Sequence, residues 1–285
     1  MSYPLRGVRR IVALLSAFVL VLTAQGMALG DGTETLGPPV GLDVAVGSGV
    51  VAAGVGLIDG QPGTINIDVP AGAAVQQVLL YWEGQNRTDA FDDTIVVNGD
   101  PVAGSAIGGT TQFFNGAWST TLRADITDGG YVVAGANSLE ISGMDFTRRN
   151  NGAGVMVIYD DGSDAEIGLV DGNDLAFANF APTLDTTVPQ VFGFAAEDVD
   201  REATLAIFAS SVAEEGGPFG FRPSAISITF SNGDVTWIDN ELNSTDGDEW
   251  DTLVALVTIP AGTTSAEVQA LSLDRLGIGG RPASF

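Results

Sequence analysis

Between Asn150 and Asp174 the chain reads NNGAGVMVIYDDGSDAEIGLVDGND, and this stretch limits the fold more than any other. Val155 to Tyr159 is an unbroken apolar run, as expected of a strand covered on both faces. Asp160-Asp161-Gly162-Ser163 is turn chemistry, because glycine tolerates positive φ and aspartate side chains bond the local backbone. From Ala165 to Val170, Ile167 and Leu169 alternate with Glu166 and Gly168, so the stretch reads as a β-hairpin.

The same grammar runs on both sides of it. Ile65, Ile67 and Val69 alternate with polar residues, and Pro70-Ala71-Gly72 turns the chain into Val75 to Trp82. Ile95-Val96-Val97 ends at Asn98-Gly99, the strongest short hairpin signal. Trp118 to Ile126, Ser138 to Ser142, Leu205 to Phe208, Ile226 to Phe230, Trp250 to Ile259 and Ala266 to Leu271 continue the series. No window of helical length carries a 3.6-residue period. An all-β fold follows.

Two segments echo each other. Ala134-Gly135-Ala136-Asn137-Ser138-Leu139-Glu140-Ile141 resembles Ala261-Gly262-Thr263-Thr264-Ser265-Ala266-Glu267-Val268, and Asn98-Gly99-Asp100 returns as Asn232-Gly233-Asp234. Trp118 and Trp250 precede the echoed segments in both halves. Either the chain is an internal duplication, or two unrelated β-rich halves share the turn chemistry that any such chain needs. Both versions predict two tandem β-sandwiches of jelly-roll or immunoglobulin-like type, over 42–175 and 176–285, after a linker at 29–41. In the first half an approach through Asn150 to Gly154 leads to the strand ending at Tyr159, whereas the matching Gly279 to Ser284 leads only to Phe285. The second sandwich is therefore expected to lack its closing strand, through truncation of a longer chain that carried a further strand or anchor, or because another subunit supplies one.

Residues 1–28 read as an export signal. Arg6, Arg9 and Arg10 precede an apolar run from Ile11 to Ala24, with small residues at Ala24, Gly26 and Ala28. The run is short for a membrane span, which needs ~20 residues. Arg9-Arg10 leaves twin-arginine and general secretory export both open. The expected location is secreted or cell-surface.

Charge and missing residue types narrow the chemistry. The 285 residues carry 36 acids against 11 basic residues, all Arg, for a net −25 at pH 7; without residues 1–28 only 8 arginines remain, giving −28. Such a chain opposes nucleic acid, which is bound by neutralising phosphates, and favours solubility and cations. There is no His, Cys or Lys. The commonest general base, every thiolate and the phosphate-loop lysine are thereby excluded, and no Gly-x-Ser-x-Gly elbow occurs. No catalytic residue and no bound organic cofactor is expected; the chain reads as not an enzyme.

Leu79-Leu80-Tyr81-Trp82-Glu83, Ile95-Val96-Val97-Asn98-Gly99 and Gly152-Ala153-Gly154-Val155-Met156-Val157-Ile158-Tyr159 resemble a group of uncharacterised exported bacterial and archaeal proteins. The resemblance covers about residues 42 to 180, with a weaker echo to the end. It implies a cell-surface β-sandwich, often one module of a larger surface protein, and supplies no catalytic residues.

Two acidic loops hold the material of a calcium site, which takes 6–8 oxygen ligands. One is Asp160, Asp161 and Asp164; the other is Asp246, Asp248 and Asp251. Neither has EF-hand spacing, and solvated turn carboxylates are the alternative. Trp82, Trp118, Trp237 and Trp250, with Tyr81 and Tyr131, are candidates for stacking on sugar rings or for the core. Asn86-Arg87-Thr88 and Asn243-Ser244-Thr245 fit the glycosylation sequon. Two functions stay open: a non-catalytic surface or matrix protein acting by adhesion or as a spacer, and a secreted carbohydrate-binding module or remnant of a glycoside-acting enzyme. The expected partner is an extracellular protein or polysaccharide, with self-association through an open sheet edge as a further expectation.

Overall fold

The computed structural model describes residues 35–113, 116–212 and 220–285, so the expected leader lies outside the described residues. In the first half the strands are β1 (Thr35–Gly37), β2 (Gly49–Gly56), β3 (Gly63–Val69), β4 (Ala74–Asn86), β5 (Thr94–Val97), β6 (Asp100–Ala103), β7 (Ser105–Gln112), β8 (Trp118–Asp125), β9 (Gly135–Ser142), β10 (Arg149–Asp160) and β11 (Asp171–Asn173). The second half holds β12 (Gln190–Gly193), β13 (Arg201–Ser210), β14 (Ala225–Phe230), β15 (Val235–Asp239), β16 (Trp250–Ile259) and β17 (Ser265–Leu271). Among the described residues there is no α-helix. The chain is all-β.

Local sequence accounts for most of these strands. Along β3, Ile65, Ile67 and Val69 are buried while Thr64, Asn66 and Asp68 are exposed, the two-residue period of a sheet with one covered face. Asn98 and Gly99 join β5 to β6 with φ of 51° and 90°, the mirror-image turn whose twist suits a tight hairpin.

A five-stranded sheet in the order β2-β10-β4-β8-β7 faces a four-stranded sheet in the order β3-β9-β5-β6, an arrangement of sandwich type. Val78, Leu80, Trp82, Val155 and Val157 from one sheet meet Ile65, Ile67, Ile95, Leu139 and Ile141 from the other, all buried. The run Val155 to Ile158 is covered on both faces, as the sequence indicates. The hairpin expected after it does not form. Both edges of β10 are already taken, by β2 and by β4 along nearly its whole length, and residues 161–170 leave the sheet as a mostly exposed segment.

In the second half a four-stranded sheet, β12-β17-β14-β15, faces a pair of strands, β13 and β16, among the described residues. Ile226, Ile228, Phe230, Leu253 and Val257 form the centre of that core, joined by Ala283 and Phe285. The four-stranded sheets of the two halves share one strand order, β3-β9-β5-β6 against β12-β17-β14-β15. Their register repeats as well: Gly63 faces Ile141, and Gln190 faces Val268, each residue of the second pair lying 127 positions after its counterpart. That is the spacing between the two echoed sequence segments. Trp118 and Trp250 open the corresponding strands β8 and β16, but only Trp250 is fully buried.

One expectation changes near the start of the described chain, and the last residues take a defined place. Thr35–Gly37, expected as part of a linker, pairs with β11, Thr35 opposite Asn173. Phe285 exchanges both backbone hydrogen bonds with Ala176 and packs its ring in the second core, so the final residues are built into the fold. No strand among the described residues pairs with the second edge of β13.

Candidate functional site

Polar chemistry gathers where the two halves meet. Alternation along β4 sends Val78, Leu80 and Trp82 inward and Leu79, Tyr81, Glu83 and Gln85 outward, yet the outward residues are buried too. The two-stranded sheet of the second half supplies part of their cover, Phe208 against Tyr81 and Ser211 against Gln85, beside residues of the first half such as Met156 and Asp171. Phe208 of β13 and Trp250 of β16 lie with ring centroids 5.7 Å apart, and Phe208 is also 5.7 Å from Tyr81. These rings sit on a strip of glycines. A Cβ on Gly54 would lie 2.2 Å from Trp250 Nε1, one on Gly152 would lie 2.7 Å from Trp250 Cβ, and one on Gly154 would lie 2.6 Å from Phe208. Glycine in these strands therefore marks close approach of another element.

Beside the rings lies an enclosed polar cluster. The ladder of β10 with β4 is irregular between Asn150 and Gly152, and the local bulge turns Asn151 toward the second half. Glu83, 2% exposed, accepts from Ser119 Oγ at 2.7 Å and from Asn151 Nδ2 at 2.5 Å. Asn151 Nδ2 and Gln85 Nε2 both reach Ser211 Oγ across the junction, at 3.1 Å each. Burial pushes the Glu83 carboxyl up to about 7, against hydrogen bonds from Ser119, Ser210 and Asn151 that pull it down. Arg149 at the start of β10 pairs with Glu249, which is 3% exposed, so an ion pair also crosses the junction. Burial raises the Glu249 carboxyl while Arg149 opposes the rise. On the other flank Arg123 is 2.5 Å from Asp171, which also accepts from the Tyr81 hydroxyl; burial, then Asp171, raises the Tyr81 phenol.

The cluster resembles a catalytic arrangement only on paper. Ser119 and Glu83 form a hydroxyl–carboxylate contact, but both are 2% exposed and their hydrogen bonds end on other buried side chains. A nucleophile must meet its substrate. What this geometry does is hold one half on the other through buried polar contacts, with a carboxyl poised near neutrality; Asn151 Oδ1 is the buried atom of the cluster that no hydrogen bond reaches. The sequence contained a clue, a glutamate inside the apolar strand LLYWEGQN, followed by the glycine-flanked Asn151. It could not show that a second body covers the outer face.

The acidic loops are placed differently from one another. Asp160, the last residue of β10, and Asp161 and Asp164 just beyond it are exposed. Asp160 Oδ1 accepts from the Gly162 N–H, and Asp161 Oδ1 accepts from the Ser163 N–H and Ser48 Oγ. Hydrogen bonds from Ser163, side chain then backbone, and from Ser48 hold the Asp161 carboxyl down at about 2. Asp248 is buried in the loop before β16 and Asp251 is buried as the second residue of that strand. Asp251 accepts from the N–H groups of Asn243 and Thr245, pinning that loop, and burial raises its carboxyl. Asp246 Oδ2 and Asn243 Oδ1 are buried without a hydrogen-bond partner in this loop. Among the described residues no three acidic groups converge in a metal-binding arrangement.

Aromatic candidates divide as well. Trp82 and Trp250 are core, at 0% and 2% exposure, and Tyr81 is buried. Trp118 and Tyr131 are half-buried. Trp237 is exposed on β15, with the Arg275 guanidinium 4.9 Å from its ring centre. Asn86 is buried and accepts from the Thr147 N–H and hydroxyl, so it cannot be glycosylated in the folded chain; Asn243 sits half-buried in the pinned loop. Comparison with family models, curated proteins and solved structures returns no match to this chain.

Proposed function

We propose that this protein is a non-catalytic, exported surface protein in which two duplicated β-sandwich modules, 42–175 and 176–285, are locked into one rigid spacer or adhesive unit. The junction carries the reading: aromatic rings fitted to glycines and a fully enclosed polar cluster belong to a body whose use is mechanical. The repeated strand order and the common 127-residue offset support duplication. A basic, apolar N-terminus with a small-residue cleavage site supports export, as does likeness to the group of exported surface proteins. A net charge of −25 suits an extracellular protein or polysaccharide partner and disfavours nucleic acid. Calcium is the one cofactor the chemistry admits, at the Asn243–Asp251 loop, where two buried oxygens lack partners.

Expression of the full chain in a bacterial host tests this. Processed protein starting near Leu29 and recovered from the surface or medium is the expected outcome; unprocessed protein confined to the cytoplasm overturns it. Trp237 favours the carbohydrate-binding reading, because its ring reaches solvent beside a cationic guanidinium. Glycan-array binding that disappears in Trp237→Ala would move the assignment to that class.

A further inference from the structure

The two halves differ most at one place. In the first, β4 is flanked by β8 on one side and β10 on the other. In the second, β13 corresponds to β4 and β16 to β8, since each pair follows the edge strand β3 or β12 and leads on to β9 or β17. The place of β10 has no strand among the described residues.

Register tells which groups face that place. Ser211 N–H bonds Glu249 across the ladder, and the pairing continues without a shift from Ser210–Trp250 to Arg201–Ile259. Backbone groups of an antiparallel strand alternate sides, so those of Ala209, Ile207, Leu205 and Ala203 point to β16 and those of Glu202, Thr204, Ala206 and Phe208 point away. No other backbone group of the described residues bonds these outward positions. The segment 167–169 passes nearby, with Gly168 against the Phe192 ring, but joins no ladder with β13. Beneath the empty place the core is thinly covered. Leu205 and Ile207 are half-buried, whereas Val78 and Leu80, their counterparts 127 positions earlier, are 2% and 0% exposed.

We infer that the β13 edge is a docking site for one added β-strand, donated by a partner protein, running antiparallel to β13 and built like β10. This rests on the duplication proposed above. The occupant's character follows from what β10 does in the first half. Val155 and Val157 of β10 fill the core, while Gly152 and Gly154 leave room on the other face for the rings of Trp250 and Phe208. A strand entering beside β13 needs apolar side chains toward Leu205 and Ile207 and small ones opposite. It also approaches a body of charge −25, which favours a strand without net negative charge and repels a second copy of this chain. Backbone pairing supplies affinity and the apolar face supplies register, the physics of strand addition at a sheet edge.

The probe is a labelled peptide of this chain's own sequence from Arg149 to Asp160, offered to the intact protein. Saturable binding is expected. Thr204→Pro removes one outward N–H on an exposed position without touching the β16 ladder, and should weaken binding by about tenfold or more. Val235→Pro makes the same change on the free edge of β15 and should leave binding unchanged. Because the chain contains no cysteine, Thr204→Cys gives a single disulfide probe. A cysteine scan of the peptide should cross-link at alternate positions, in antiparallel order. A folded protein that ignores the peptide overturns the inference. So does binding unaffected by Thr204→Pro, or dimerisation through β13 in sedimentation with no peptide uptake. None of these results bears on export, so failure here is separable from failure of the surface-protein reading.

Discussion

Glu83 is where the physical chemistry of single residues is most exposed to test. Its carboxyl sits at about 7 in the folded chain against an ordinary value of 4.5, because burial penalises the charge more than Ser119 and Asn151 stabilise it. A raised folded value means the folded state holds its proton more tightly. The contribution is therefore complete below 4.5 and is lost as pH rises through 7, at most about 3 kcal/mol. Acidifying from pH 8 to pH 5 should raise the melting temperature, and Glu83→Gln should flatten that rise. Calorimetry of both proteins across the range decides it; parallel curves would show that Glu83 does not titrate there. The buried Glu249, Asp246 and Asp251 carboxyls are raised in the same direction and leave a residual slope in the variant.

Among elements, β10 matters most, because it completes one sheet and carries the glycines on which the second half rests. Gly154→Val puts branched carbon where the Phe208 ring already lies, 2.6 Å from the place a Cβ would take. Overpacking of this kind costs about 1–3 kcal/mol, or several degrees of melting temperature for a chain this size. Gly162→Ala, on the exposed turn just beyond β10, adds a methyl to open space and affects only the turn, where φ is 84°. If Gly154→Val melts no lower than Gly162→Ala, the rings do not bear on that glycine in solution. Limited proteolysis should also cut Gly154→Val between the halves sooner than the parent protein.

At the scale of the whole molecule, charge sets the conditions for stability. A body of net −25 repels itself at low ionic strength, and any cation relieves that. A specific site would add something more. Millimolar calcium is expected to raise the melting temperature beyond magnesium or sodium chloride of matched ionic strength, and Asp246→Asn should remove the excess. Equal shifts from all three salts would mean screening alone and would end the case for the Asn243–Asp251 loop. The exposed Asp160, Asp161 and Asp164 contribute to the repulsion whichever result is obtained.

The strands were legible because each rests on a local rule: alternation at Ile65, Ile67 and Val69, an unbroken apolar run at Val155 to Ile158, Asn98-Gly99 between two of them. The echo between Ala134–Ile141 and Ala261–Val268 was legible too, and the sheets repeat it in register. Pairing was not. Ala165 to Val170 alternates as a strand would, yet β10 had no edge left for it once β2 and β4, distant in sequence, were in place. Nor could sequence separate Trp237, at the surface, from Trp82 and Trp250, in the core, since burial depends on which faces meet. The enclosed cluster of Glu83, Asn151, Ser119 and Ser211 draws on both halves of the chain. Local sequence determines which residues form strands; the covering of one sheet's outer face by another is a long-range event, and only the tertiary structure decides it.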